Sequence, residues 1–167
     1  MPDFLDEIEA CVPALRRYAR ALTRDAERAD DLVQDCLERA IRKRGLWRPT
    51  GPLRAWLFRI LLNTYRNDLR RDRRAPLSLP IDALSGEPPS PAGQPGRLAL
   101  ADTARALDKL TDEQREALLL VAIEGLSYAE AANALGIPLG TLMSRIARAR
   151  ETLRDLLDAP PRLRTVK

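Results

Sequence analysis

Residues Leu126–Leu157, LSYAEAANALGIPLGTLMSRIARARETLRDLL, read as two helices joined by a tight turn. Ser127-Tyr128-Ala129-Glu130 has the spacing of a capping box, in which the serine hydroxyl accepts an amide of the first turn and the glutamate reaches back to the serine amide. Gly136 suits the left-handed residue that ends the first helix, and Pro138 suits the opening turn of the second. The product is a helix-turn-helix. In its second helix Leu139, Leu142, Ile146, Ala149, Leu153 and Leu156 recur at spacings of three and four, which predicts one buried stripe. The opposite face carries Gly140, Ser144, Ala147 and Arg148, flanked by Met143 and Arg150 on one side and by Thr141 and Arg145 on the other. Small side chains let a helix approach base edges, and arginines pair with guanine or phosphate. Thr141, Met143, Ser144, Arg145, Ala147, Arg148 and Arg150 are therefore the candidate DNA-reading residues of this helix. A charged face that is only solvated is the alternative.

Aromatic residues make up 4% of the 167 positions, and the 45% of hydrophobic residues lean on leucine and alanine, so the chain is expected to be all-α. The net charge of +4 suits a polyanionic partner, but its distribution is more informative. Residues 1–38 hold five arginines against ten acids, whereas Arg39 to Arg74 holds twelve Lys/Arg against two aspartates. An acidic front beside a basic block suggests two partners of opposite charge; two solvated helix faces are the plainer reading. With no histidine and two isolated cysteines, Cys11 and Cys36, no metal site or Cys-His chemistry is expected, and nothing calls for a cofactor. No apolar run approaches the ~18 residues of a membrane helix, and no secretory signal pattern opens the chain, so a cytoplasmic protein without membrane insertion is expected.

Toward the N-terminus, Leu5, Ile8, Val12, Leu15, Ala19 and Leu22 predict a helical stripe that Pro13 should divide into a short and a longer helix. Asp25 can cap the next helix, buried through Ala29, Leu32, Val33, Cys36, Leu37 and Ala40. Asp30, Asp31, Gln34, Asp35 and Glu38 exceed what capping and the helix dipole require, and make an acidic surface. After a loop at Leu46–Pro52, a long helix over Leu53–Arg74 should bury Leu53, Trp56, Leu57, Ile60, Leu61 and Thr64. Its outer face alternates amides with arginines: Arg59, Asn63, Arg66, Asn67 and Arg70, continuing into Arg71, Arg73 and Arg74. Trp47, Trp56 and Tyr65 lie where an unpaired base could stack, with core packing as the alternative for the tryptophans. Residues 75–96 contain six prolines, three glycines and no Lys or Arg, the composition of a linker. One helix follows over Leu98–Leu110, and the Thr111-Asp112-Glu113-Gln114 box starts another that runs to Gly125.

Asp30-Asp31-Leu32-Val33-Gln34-Asp35, Leu53-Arg54-Ala55-Trp56-Leu57-Phe58-Arg59-Ile60, Leu110-Thr111-Asp112-Glu113-Gln114-Arg115-Glu116 and Gly140-Thr141-Leu142-Met143-Ser144-Arg145 together resemble the extracytoplasmic-function (group 4) sigma factors of the sigma-70 family. The likeness spans about residues 10–157. It implies two small helical domains: a region 2-like domain over residues 1–74, a Pro-rich linker over 75–96, and a region 4-like helix-turn-helix domain over 97–158, followed by a tail at 159–167.

By resemblance the protein is a transcription initiation factor and not an enzyme. Its expected partners are core RNA polymerase, promoter DNA and an anti-sigma factor. Asp30, Asp31, Gln34, Asp35 and Glu38 fall on the helix that docks on polymerase. Trp47, Asn63, Arg66, Asn67, Arg70 and Arg71 fall where the −10 element is read, and the face from Thr141 to Arg150 falls where the −35 element is read. Met143 stands where the family usually has Lys or Arg, removing one polar contact. A sigma-like decoy that sequesters an anti-sigma factor without binding DNA, and an operator-binding regulator that uses only the helix-turn-helix, are the competing readings.

Overall fold

Asp3 starts the first helix: its side chain accepts the Phe4 amide at 2.7 Å, and the Asp6 carboxylate reaches back toward the Asp3 amide. The computed structural model describes residues 3–48, 51–75 and 95–158. Helix α1 covers Phe4–Thr23, α2 Ala26–Arg42 and α3 Leu53–Arg74, with a 3-10 turn over Arg44–Leu46. They are followed by α4 Pro95–Asp108, α5 Asp112–Ala122, α6 Tyr128–Leu135 and α7 Leu139–Asp158. Helices are the only regular elements among the described residues, in agreement with the all-α expectation.

Pro13 does not divide α1. It sits exposed within one continuous helix, while Ile8, Leu15, Tyr18, Ala19 and Leu22 are buried on both sides of it. Tertiary burial along that face outweighs the hydrogen bond the proline cannot make, a cost of about 3 kcal/mol in a helix without such packing. The apolar stripes shift in detail. Leu5 is exposed and Phe4 buried in its place, and Leu139 and Leu156 lie outside the core at the two ends of α7. Helix α4 begins at Pro95, earlier than the pattern from Leu98 suggested, and ends at Asp108. Most of the linker expected over 75–96, and the tail from Ala159, lie outside the described residues.

Helices α1, α2 and α3 pack on one another around Tyr18, Leu57, Phe58 and Leu61, with the Tyr18 and Phe58 rings edge to face at 5.1 Å. Cys36 is buried there, its thiol 3.5 Å from the Leu57 carbonyl oxygen and pushed by burial up to about 12, as expected of an inert core cysteine. Helices α4 to α7 form a second cluster around Leu120, Leu142 and Ile146. At its centre Arg115, 6% exposed, donates to the carbonyls of Leu107 and Leu110, both at 3.2 Å, and so closes the C-terminal end of α4. Replacing Arg115 with alanine takes both bonds away, leaving the Leu107 carbonyl with only the Leu110 amide, and is expected to cost about 2–4 kcal/mol of stability, measurable as a lowered urea midpoint. The two clusters meet where α6 lies on α3 and α5 lies on α1.

Candidate nucleic-acid interface

The helix-turn-helix is built as its sequence requires. Ser127 Oγ accepts the Glu130 amide at 3.2 Å, and Glu130 Oε2 accepts the Ser127 amide at 2.8 Å. Gly136 takes φ +66, and the Ile137 amide then reaches the Ala132 carbonyl at 3.1 Å, so the chain turns within a few residues. The Pro138 carbonyl accepts the Leu142 amide and begins α7. Leu142, Ile146 and Ala149 anchor that helix at no more than 1% exposure. Gly140, Met143, Ser144, Ala147, Arg148 and Arg150 are exposed, and Thr141 is half-buried. Arg145 is tethered: its guanidinium is 3.7 Å from Glu113 and its side chain is 22% exposed. The structure thus gathers six exposed residues of this face on one helix and holds Arg145 partly against α5.

The second candidate face lies on α3 and the loop before it. Asn63, Asn67, Arg70 and Arg71 are exposed, and Arg71 also pairs with Asp68 at 3.4 Å. Trp47 packs one side on Phe4, ring centroids 5.6 Å apart, and Phe4 in turn meets Trp56 at 6.4 Å and lies under the Arg44 guanidinium. A cleft of about 320 Å³ opens beside Trp47, Arg48, Trp56 and Arg59, with Glu130 and Asn133 of α6 on its far wall. Pro49 and Thr50 of this loop lie outside the described residues. Tyr65 is buried and does not offer its ring for stacking. Its position on α3, two residues from both Asn63 and Asn67, turns it about 160° from the exposed amide row and toward the core.

Arg66 departs most from an open reading face. Its Nη2 donates to Glu116 Oε2 at 2.8 Å and its Nη1 to the Leu135 carbonyl at 3.3 Å, at the C-terminus of α6, where a cation is favoured. Glu116 is almost fully buried. Nearby, Tyr18 donates from its hydroxyl to the Glu116 carbonyl at 3.0 Å, and burial pushes its phenol well above the ordinary range. Glu124 has a side chain with 0% exposure and meets two arginines from the other cluster. Arg17 donates to it twice, at 3.0 and 2.7 Å, and Arg54 once, at 2.8 Å. Its hydrogen bonds to Glu124 hold the Arg17 guanidinium above its usual value. Burying a carboxylate costs several kcal/mol unless such bonds compensate, and double donation by one guanidinium is a strong form of compensation. The pairing is incomplete, because Arg54 Nε is buried without a hydrogen-bond partner among the described residues, a cost of about 1–3 kcal/mol. The sequence pattern offered one sign of these acids: Glu116, Leu120 and Glu124, four residues apart, place two carboxylates on a buried face.

On α2, Asp30, Asp31, Gln34, Asp35 and Glu38 are all exposed on one side, opposite the buried Ala29, Leu32, Val33 and Cys36. Asp30 lies 4.0 Å from Arg16, and Asp31 and Asp35 border a groove shared with Arg28 and Arg71. No metal-holding cluster occurs among the described residues, and no helix among them is long and apolar enough to cross a membrane.

Residues 8–62 match the family model described as the Sigma2 domain of PhyR, and residues 100–153 match Sigma-70, region 4. The chain is 43% identical to the ECF RNA polymerase sigma factor EcfG of Rhodopseudomonas palustris, over 91% of this chain and 83% of that protein. It is 39% identical to the RNA polymerase sigma factor CnrH of Cupriavidus metallidurans, over 87% and 82%. Among solved structures it is similar to the sigma factor RpoE of Bartonella quintana in complex with the anti-sigma factor NepR: TM-score 0.73, 36% identity, covering 94% of this chain and 98% of that one.

Proposed function

Since this chain belongs to the extracytoplasmic-function sigma factors of the sigma-70 family, we propose that its three exposed polar faces divide the work of such a factor. The protein directs RNA polymerase to promoters, starts transcription there and is controlled by an anti-sigma factor. Bond formation belongs to the polymerase; the chain itself supplies recognition and is not an enzyme. It acts in the cytoplasm, where polymerase and chromosome meet.

Residues 1–74 form the unit that binds polymerase and the −10 element, 75–96 the connection, 97–158 the unit that binds the −35 element, and 159–167 a tail. The acidic row Asp30, Asp31, Gln34, Asp35 and Glu38 docks on a basic surface of core polymerase. Asn63 and Asn67 offer amides that pair with base edges, with Arg66 beside them and the cleft at Trp47 ready for an unstacked base. Unstacking costs a few kcal/mol per step, and capture of the freed base offsets part of it. Arg70 and Arg71 neutralise backbone phosphates, which makes binding salt-dependent. On α7, Thr141, Met143, Ser144, Arg145, Ala147, Arg148 and Arg150 enter the major groove of the −35 element.

The exposed row of small residues and arginines on α7, held by a buried three-residue anchor, carries this reading. Run-off transcription from fragmented genomic DNA with core polymerase, followed by sequencing of the RNA 5′ ends, tests it. Discrete starts that share two upstream motifs are expected. The match of residues 8–62 to a PhyR domain favours a second reading, a sigma-like decoy. Core binding without any starts would support the decoy. Duplex binding without core binding would leave an operator-binding regulator.

A further inference from the structure

We propose that the free chain closes on itself through an ionic clasp, in which Glu124 is held by Arg17 and Arg54 and Glu116 is held by Arg66, and that closure withholds Arg66 from DNA. The withholding of DNA rests on the −10 reading above; the clasp itself does not.

Glu124 and Glu116 belong to the C-terminal cluster, yet their carboxylates are bonded by arginines of the N-terminal cluster. Glu124 sits in the short connection between α5 and α6, beside Gly125 with φ +68. Within its own cluster it is held through the backbone, its amide bonding the Leu119 carbonyl at 3.1 Å. Its burial therefore comes from the meeting of the clusters. Separation places the carboxylate in water, and it also uncovers the side of α6 that packs on α3.

Arg66 cannot serve both states at once. While it bridges Glu116 and the end of α6, neither a phosphate nor a base edge can take the same N–H groups. Helix α6 adds a second obstruction, because Glu130 and Asn133 wall the cleft beside Trp47. A third lies in the groove of about 450 Å³ where Arg70 and Arg73 face Glu113 and Glu116. There the acids of α5 occupy the field that a DNA strand would otherwise fill. The strand and the C-terminal cluster thus compete for one basic surface, and DNA binding and opening favour each other. Arg54 Nε, buried without a partner among the described residues, lowers the net stability of the closed form.

Small-angle scattering of the full chain tests the clasp. Wild type is expected near the radius of about 15 Å for a compact chain of this length, whereas separated clusters would exceed roughly 20 Å. Glu124→Lys sets a third cation against Arg17 and Arg54 and should expand the particle with unchanged helical circular dichroism. Arg17→Glu, on the exposed side of the same contact, should do likewise. Binding of a single-stranded oligonucleotide with the protein's own −10 sequence should tighten about tenfold in both variants. Adding Arg66→Gln should remove that gain. Unchanged scattering in both variants would overturn the clasp. Expansion without tighter oligonucleotide binding would overturn the withholding of Arg66 and point to the −10 reading, with the clasp intact.

Discussion

Reversing Asp31 and Asp35 together to lysine is expected to lower affinity for core polymerase by about 100-fold while leaving the fold unchanged. The two aspartates lie one turn apart on the exposed side of α2, so both meet the same patch of a partner. Opposite charges across an interface raise the association rate, and like charges brought together cost several kcal/mol, of which solvent exposure leaves about 3 kcal/mol, or roughly two decades in affinity. Neither residue belongs to the buried stripe of Ala29, Leu32, Val33 and Cys36, and surface changes of this kind usually alter stability by less than about 0.5 kcal/mol. Competition for core polymerase against a labelled sigma factor, at two salt concentrations, measures the effect. Wild-type affinity should fall as salt rises, whereas the variant should be weak and far less salt-dependent. Equal affinities for variant and wild type would remove α2 as the docking helix.

Arg148→Ala is expected to weaken initiation that depends on the −35 element by about 10- to 100-fold and to leave core binding at its wild-type value. Arg148 is exposed on α7, two residues past the buried Ile146 that fixes the helix. Loss of an arginine contact to guanine costs about 1–3 kcal/mol and relaxes preference at a single base pair. A phosphate contact would instead weaken all sequences alike and lower the salt dependence of binding. Gel-shift titrations on a promoter and on variants of its upstream element separate the two contacts. Arg145 is a poorer site for this test, because its substitution also releases the contact with Glu113. Parallel loss of core binding and promoter binding in Arg148→Ala would mean that α7 does not act as a separate DNA reader.

What the sequence disclosed follows from the range of the forces involved. Ser127 with Glu130, Thr111 with Gln114, and Gly136 are local devices, and each appears in the structure where its spacing placed it. The exposed rows on α2 and α7 were legible for the same reason: helical periodicity assigns a face without knowledge of a partner. Pro13 misled because a propensity is a local cost, while the burial that offsets it comes from elsewhere in the chain. Tyr65 misled because two helix positions carry a side chain about 160° around the axis, from the exposed row to the buried face. The bonds of Arg17 and Arg66 lay beyond any such pattern. Their acceptors are 107 and 50 residues away, and the pairing depends on how two packed clusters meet.

Helix α3 has no idle side. Leu57, Leu61 and Thr64 fill the core, Arg54 and Arg66 reach the second cluster, and Asn63, Asn67 and Arg70 stand exposed. Around its circumference these residues answer to core packing or to the contact between clusters, and on the proposed −10 reading Arg66 answers to two demands that exclude each other. In a deep mutational scan, this helix should show the narrowest tolerance in the protein. Its neutral drift would need paired changes, and a new promoter preference could arise there only together with a change in how readily the molecule opens.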